Sequence, residues 1–304
     1  TEDTTPIRNQ TMPTDLAICI VNWNTRDLLD KCLQSIRDTQ GTLSVETIVV
    51  DNASTDGSAE MVSAKHPWAR LIANLDNRFY AAANNQALQA AEAPFKLLLN
   101  PDIIVHEGSL QTLLGFMERH PDAGAVAPRL RGVDGEIQPS CRTFPGPDVV
   151  RYEALGLSRL FPRDHEFGKY RMTWWDYDDE REVDQPMASA FLVRDAALQK
   201  IGLFDERFPM FFNDVDLCRR LWDAGWEVWF TPAAEMTHLG GASTRQVRRE
   251  MIIESHRSFV RYYEKHYRQT LSPLEYRVTL CLLRVGLRMR LGMLDLRRLT
   301  GRSA

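Results

Sequence analysis

One plan repeats through the first hundred residues and constrains the fold more than any other feature. A continuous apolar run ends in polar residues, and a helical pattern follows. LAICIVNWN leads into TRDLLDKCLQSIRDT, where Leu28, Leu29, Cys32, Leu33 and Ile36 fall at helical spacing. VETIVVDNASTDGS leads into SAEMVSAKH, and ARLIAN into the alanine-rich AAANNQALQAAEA. A fourth run, FKLLLNPDIIV, is interrupted by Asn-Pro-Asp. Unbroken apolar strands are buried on both faces. Strands alternating with helices predict an α/β fold, a mostly parallel central sheet flanked by helices. In such sheets ligands gather at the carboxyl ends of the strands. The clusters Asn22-Trp23-Asn24, Asp51-Asn52 and Asn100-Pro101-Asp102 all fall at that edge.

Later segments are less regular. Residues 131–182 hold QPSCRTFPGP and WWDYDDE and read as a long excursion over the surface. EVDQPMASAFLVR predicts a strand, AALQKIG a short helix closed by Gly202, and NDVDLCRRLWDAGW an amphipathic helix from about Asp214. GWEVWFTPAAEMTHLGGAST predicts another strand and a glycine-rich turn beside His238. The last sixty residues follow a helical pattern, and on a helical wheel Arg277, Arg284, Arg288 and Arg298 share a broad face with Asp295. The expected organisation is a loose tail at 1–14, one α/β domain at 15–244 and a helical C-terminal extension at 245–304.

Composition narrows the class. At 304 residues with 44% hydrophobic content the chain can bury a core without staples. A formal net charge of -4 leaves no basic footprint for nucleic acid. The five cysteines are scattered and form no CxxC, which argues against a disulfide framework or zinc site and suits a reducing, cytoplasmic compartment. No apolar signal-like segment and no membrane-spanning run is expected. The basic stretch 270–304 fits either peripheral contact with the inner face of the cytoplasmic membrane, or helices packed on the domain or on a second subunit of a homodimer.

Several carboxylates stand where chemistry is possible. Asp51, at a strand end, suits a ribose or base contact, or a turn cap. Asp102 suits a hard cation such as Mg²⁺ or Mn²⁺ shared with substrate phosphates, or an ordinary strand-to-turn role. His238, beside Gly240-Gly241, can complete such a site or serve structure. Asp214 and Asp216 open a helix, where the dipole and unpaired N–H groups favour acids. Capping accounts for one of them; Phe211 and Phe212 beside Asp214 would desolvate a carboxylate and raise its basicity, which suits a general base. GxGxxG after the first strand, GxxxxGK[ST] and GxSxG are all missing, against a dinucleotide-binding fold, a P-loop and an α/β-hydrolase.

Taken in order, IVNWNTRDLLDKCLQSI, IVVDNASTDGS, AAANNQAL, LLLNPDIIV, GAVAPRLRGVDGEIQPSCRTFP, FLVRDAALQKIGLFDERF, NDVDLCRRLWDAGW and HLGGAST resemble glycosyltransferase family 2, the inverting GT-A enzymes, and within it the bacterial rhamnosyltransferase-type branch. The resemblance covers roughly residues 16–244. It implies a GT-A fold and a nucleotide-sugar donor, a dTDP- or UDP-sugar with dTDP-rhamnose first. It also implies Mg²⁺ or Mn²⁺, and a saccharide or lipid-linked acceptor in cell-envelope or O-antigen synthesis. By position it makes Asp214 the catalytic base. Asn22, Asp51, Asn85 and Asp102 become donor-binding residues, and Asp102 and His238 metal ligands. Asn213 replaces the family's Glu before the catalytic Asp, and Phe79 stands where the branch usually has Gly. Asn213, Phe212, Trp174 and Trp175 are placed on the acceptor side. Asn213 also motivates an alternative, a non-catalytic nucleotide-sugar-binding protein; a nucleotidyltransferase is a second alternative.

Overall fold

The computed structural model describes residues 14–240 and 248–299. Most of the expected N-terminal tail, the stretch 241–247 with Gly241, and the last residues of the C-terminal extension lie outside the described residues.

The repeated plan folds as its pattern dictates. Strands β1 (Leu16–Asn22), β2 (Val45–Asp51), β3 (Arg70–Ala73) and β4 (Phe95–Leu99) pair in parallel in the order β3-β2-β1-β4. Helices α1 (Arg26–Thr39), α2 (Ser58–Lys65) and α3 (Phe79–Ala90) connect them. Alternation along β1 explains its unbroken apolar run. Leu16, Ile18 and Ile20 share a core with Leu29, Leu33 and Ile36 of α1. Ala17 and Cys19 join the opposite core with Ala81, Ala83 and Ala87 of α3. Helices on both faces leave β1 almost fully buried, whereas the edge strand β3 keeps both its ends exposed.

Beyond β4 the plan changes. Asn100-Pro101-Asp102 turns the chain, and β5 (Ile103–Val105) pairs antiparallel with β11 (Glu227–His238) at the far edge rather than extending β4. Helix α4 (Ser109–Arg119) leads to β6 (Ala123–Arg131). Strand β10 (Ala190–Arg194) inserts antiparallel between β4 and β6, and β11 runs parallel to β6. Thus β3, β2, β1, β4, β6 and β11 point one way, and β10 and β5 the other.

Two expectations are corrected. EVDQPMASAFLVR is not one strand. Its start pairs briefly with β11 as β8 (Arg181–Glu182), then β9 (Gln185–Pro186) forms a separate ribbon with β7 (Cys141–Arg142). Pro186 lacks the N–H that a central ladder requires. Residues 131–182 are not simply a surface excursion either. After α5 (Pro147–Ala154) and α6 (Leu157–Leu160) the chain turns inward, burying Met172, Trp175 and Tyr177. Trp175 stacks on Tyr177 at 4.1 Å, and both meet Phe230 of β11 edge-on. The apolar area of aromatic rings outweighs the turn-rich composition around them.

Helix α7 (Asp195–Ile201) ends at Gly202, whose φ of +80° is a conformation that glycine adopts without strain. Helix α8 (Asn213–Asp223) carries the acidic pair. The C-terminal helices α9 (Arg248–His266) and α10 (Pro273–Leu299) form a hairpin whose open ends meet through Arg249 and Asp295, 2.6 Å apart. They share a third core with α5 and α8, built on Val150, Phe208, Val215, Tyr262, Tyr263 and Leu283.

Candidate active site

A cavity of about 690 Å³ opens at the carboxyl edge of the sheet. Each polar cluster contributes to it: Trp23 after β1, Asn52 after β2, and Asn100–Asp102 after β4. The chain from Met187 to Ser189, His238 of β11, and Asn213 and Asp214 of α8 close the other sides. Glu250 and Met251, in the first turn of α9, complete it. Most of the wall surface is apolar although polar side chains are interspersed, and among the described residues no Lys or Arg lines it. Phe79 stands at the rim, half exposed, with φ +61°. A glycine adopts that conformation without strain, whereas a bulky side chain does not; the Phe-for-Gly departure therefore falls where the backbone itself favours Gly.

Asn22 and Asp51 build one corner without lining the cavity. Asn22 Nδ2 donates to Asp51 Oδ1 at 2.9 Å and to Ser54 Oγ at 3.1 Å, and its Oδ1 accepts from Thr25 Oγ1 at 2.6 Å. The Ser54 N–H donates to Asp51 Oδ2 at 2.9 Å. Each Asp51 oxygen retains acceptor capacity, but both residues are almost fully buried. What this corner presents to the cavity is the next residue, Asn52, itself held by Asn77, Phe79, Asn74 and Arg78.

Asp102 and His238 meet across the β4–β5 turn. The buried Asp102 Oδ1 has no hydrogen-bond partner, and His238 Nε2 lies 3.5 Å from it. Two ligands of one octahedral divalent ion, each about 2.1 Å from it, stand roughly 3 Å apart. An orphaned carboxylate oxygen facing an imidazole nitrogen therefore fits a hard or borderline divalent cation. Among the described residues no group of three metal-binding side chains comes together, so phosphate and water would supply the remaining ligands.

Gln138, a residue the sequence reading did not single out, fixes His238. Its Oε1 lies 2.9 Å from His238 Nδ1, and its Nε2 donates to the His238 carbonyl at 3.0 Å. With Nδ1 donating to Gln138, Nε2 keeps its lone pair toward Asp102; such outer contacts set the tautomer and ring orientation of ligating histidines. Gln138 lay within the motif GEIQPSCRTFP, but only the β6 turn reveals its target.

Asp214 faces the cavity from the start of α8. Its Oδ1 accepts the Val215 N–H at 2.9 Å, and the Ala188 N–H also points to it. Burial pushes its carboxyl above the ordinary range, and these backbone donors offset only part of the rise. Tyr80, another residue the sequence reading passed over, lines the same space and donates to the Ala188 carbonyl at 3.0 Å. Burial, then the nearby Asp214 charge, holds its phenol well above the usual value. Asn213 is buried; its Oδ1 accepts the Asp214 N–H at 2.8 Å and its Nδ2 donates to the Phe208 carbonyl at 3.3 Å.

Four expected site residues lie elsewhere. Asn85 spends both ends of its amide on the 204–206 loop: Nδ2 donates to the Phe204 carbonyl and Glu206, and Oδ1 accepts the Phe204 N–H. Phe212, at φ +64°, stacks on Phe259 of α9 at 4.6 Å instead of walling the cavity. Trp175 belongs to the core described above and donates to Asp179. Trp174 packs 4.5 Å from His165, and the Arg181 guanidinium lies over both indoles. None of the four lines the cavity.

Comparison with known proteins agrees with this geometry. The sequence profile of Glycosyl transferase family 2 matches residues 17–170. An N-acetylglucosaminyl-diphospho-decaprenol L-rhamnosyltransferase of Mycobacterium tuberculosis is 31% identical over 244 residues, covering 76% of this chain and 79% of that one. Rhamnosyltransferase WbbL of Escherichia coli strain K12 is 26% identical over 166 residues, 54% of this chain and 59% of that one. Among solved structures, the mannosyltransferase PcManGT of Pyrobaculum calidifontis, in complex with GDP-Man and Mn²⁺, superposes with a TM-score of 0.57 at 17% identity, covering 90% of this chain and 69% of that one. With its GT-A sheet, its C-terminal helices and this degree of kinship, the chain belongs to glycosyl transferase family 2 and is a glycosyltransferase.

Proposed function

We propose that the chain transfers a sugar, L-rhamnose from dTDP-rhamnose in the first instance, to a lipid-linked saccharide used in cell-envelope polysaccharide synthesis, with inversion at the anomeric carbon. Family membership sets aside the nucleotidyltransferase alternative. The rhamnosyltransferases among its relatives support the sugar, and the decaprenyl diphosphate named for the mycobacterial relative supports a lipid-linked acceptor. The observation that carries the mechanism is the placement of Asp214 in one apolar cavity with the orphaned Asp102 oxygen and His238.

In this reading Asp102 and His238 would hold Mg²⁺ or Mn²⁺, which supplies charge neutralisation to the leaving diphosphate. The lack of any described Lys or Arg in the lining makes that contribution hard to replace. Asn52, whose amide is fully used by its four partners, fixes the shape of the wall on the nucleotide side. Asp214 takes the proton from an acceptor hydroxyl as that oxygen bonds to the anomeric carbon and the carbon–diphosphate bond breaks. A carboxylate with a raised pKa suits proton removal near neutrality. One flanking carboxylate suffices, because inversion in a single step forms no glycosyl-enzyme intermediate; glycosidases use two.

The test pairs binding with turnover. Thermal stabilisation is measured across dTDP- and UDP-sugars with and without Mn²⁺, followed by nucleotide release with a lipid-diphosphate saccharide acceptor. dTDP-rhamnose with Mn²⁺ is expected to give the largest shift and to support turnover. Stabilisation by a different donor overturns the sugar assignment, and binding without turnover for any acceptor supports the non-catalytic alternative that Asn213 raises.

A further inference from the structure

Helix α10 presents an unpartnered apolar face. Leu274, Val278, Val285, Met289 and Met293 are large apolar residues, each between 44% and 74% exposed. Their spacing of four, seven, four and four residues places them on one side of the helix. The opposite side, with Thr279 and Leu283 buried, packs on α9 and α5. Arg277, Arg284 and Arg288 are exposed along one flank of the apolar row. The two described acids of α10 are already paired, Glu275 with Arg151 at 3.2 Å and Asp295 with Arg249 at 2.6 Å, and Glu264 of α9 shares the surroundings of Tyr276 with Arg268 and Arg284. Hence the exposed face combines large apolar side chains with an excess of positive charge.

We propose that this face of α10 docks on an anionic lipid surface, with the apolar row at the boundary between headgroups and acyl chains and the three arginines on the headgroups. No described helix is long and apolar enough to cross a membrane, so α10 would lie along the surface. Its 27 residues span about 40 Å of that surface. A second copy of the chain is the poorer occupant. A two-fold interface brings the same patch from both copies together, which sets one arginine-rich flank against another. The surface also lies close to the site: Arg249, paired with Asp295 near the end of α10, immediately precedes the cavity-lining Glu250 and Met251. Docking this face therefore brings the cavity mouth near the bilayer. The inference stands on the surface alone and is independent of the donor and acceptor proposed above.

Flotation of the full chain with vesicles decides the matter. Phosphatidylcholine vesicles are compared with phosphatidylcholine–phosphatidylglycerol vesicles at low and high salt. Binding to the anionic vesicles is expected to exceed the neutral ones at least tenfold and to weaken with salt. The triple variant Arg277→Glu, Arg284→Glu, Arg288→Glu should lose roughly a hundredfold or more. Met289→Asp with Met293→Asp should lose about tenfold or more, since burying such a side chain is worth at least that factor. Both variants alter only exposed side chains, so their thermal unfolding should match the parent. Equal binding to both vesicle types, no binding to either, or full binding by the triple variant overturns the proposal. So does a concentration-dependent dimer in sedimentation that Met289→Asp dissociates, which would assign the face to a second copy.

Discussion

Asp214 and Asp216 share the first turn of one helix and meet opposite fates. Asp214 faces a cavity whose described walls carry no Lys or Arg, and burial drives its carboxyl upward. Asp216 is fully buried: Arg220 Nε donates to its Oδ2 at 2.9 Å, while Lys265 Nζ at 2.6 Å and His266 Nε2 at 2.8 Å meet its Oδ1. Burial alone would raise its carboxyl too, but the His266 hydrogen bond, the Arg220 charge and Lys265 outweigh it and hold it low. Two positions along an α-helix differ by about 200°, which turns one carboxylate to the sheet edge and the other to α9. Identical residues in one helix dipole are thus separated by what faces them: Asp214 opens on the cavity, and Asp216 ties α8 to α9.

The largest effect expected from breaking this asymmetry is on catalysis. Asp214→Asn removes the proposed base while keeping an oxygen for the Val215 N–H. Transfer should fall by roughly a thousandfold, within the usual contribution of general-base catalysis, with donor stabilisation retained. Near-parental turnover would remove Asp214 from the mechanism. The next effect is on stability. Asp216→Ala leaves Arg220 and His266 without their carboxylate and Lys265 with Asp205 alone, and removing one partner of a buried ion pair costs about 3–5 kcal/mol. Chemical denaturation should show that loss, together with freer proteolysis of α9. Destabilisation below about 1 kcal/mol would mean that the C-terminal helices hold α8 by their apolar core alone.

The sheet was largely legible in the sequence, because it rests on local pattern, whereas local pattern left the two carboxylates alike and only the family resemblance set Asp214 apart. Unbroken apolar runs encode two-sided burial, and the polar residues closing them mark the ligand edge. Asp102 was marked by its place at that edge, whereas its meeting with His238 was expected only from the family resemblance. Their orienting partner was not legible: Gln138 reaches His238 through a turn 100 residues earlier in the chain, and nothing local marks it. Asn85 misled because a polar residue in a family motif is as readily a structural tie as a ligand contact; both ends of its amide bind the 204–206 loop. Phe212, Trp174 and Trp175 misled because aromatic residues near a site fill cores as well as walls. The contribution of α9 to the cavity was invisible, since a helical pattern says which face is apolar but not where the helix begins its contact.

The same asymmetry gives opposite pH signatures, a smaller effect than either loss above. A carboxyl held low when folded stabilises the fold above its ordinary pKa of about 4, and that stability is lost as pH falls through the lower folded value. A carboxyl held high works in reverse: stability is fully present below the ordinary value and is lost as pH rises through the folded one. Asp214→Asn should therefore be at least as stable as the parent at neutral pH, the advantage vanishing near pH 4 and below, whereas Asp216→Asn should be less stable at neutral pH with the deficit narrowing in acid. Parallel pH-stability curves for the two variants would show that their surroundings do not differ as described.

The smallest expected change probes Asn213. Replacing it by Glu puts a second carboxylate next to Asp214 and removes the donation to the Phe208 carbonyl. Like charge disfavours ionisation of the neighbour, so the acid limb of the pH–rate profile should move upward while the maximal rate changes little. Asn213→Asp places the same charge on a shorter arm and should move the limb in the same direction. If the limb stays in place in both variants, the group titrating in the reaction is not Asp214. A limb that moves with Asn213→Glu and disappears with Asp214→Asn ties the profile to the carboxylate facing the cavity, leaving its neighbour two residues on to the task of holding α9.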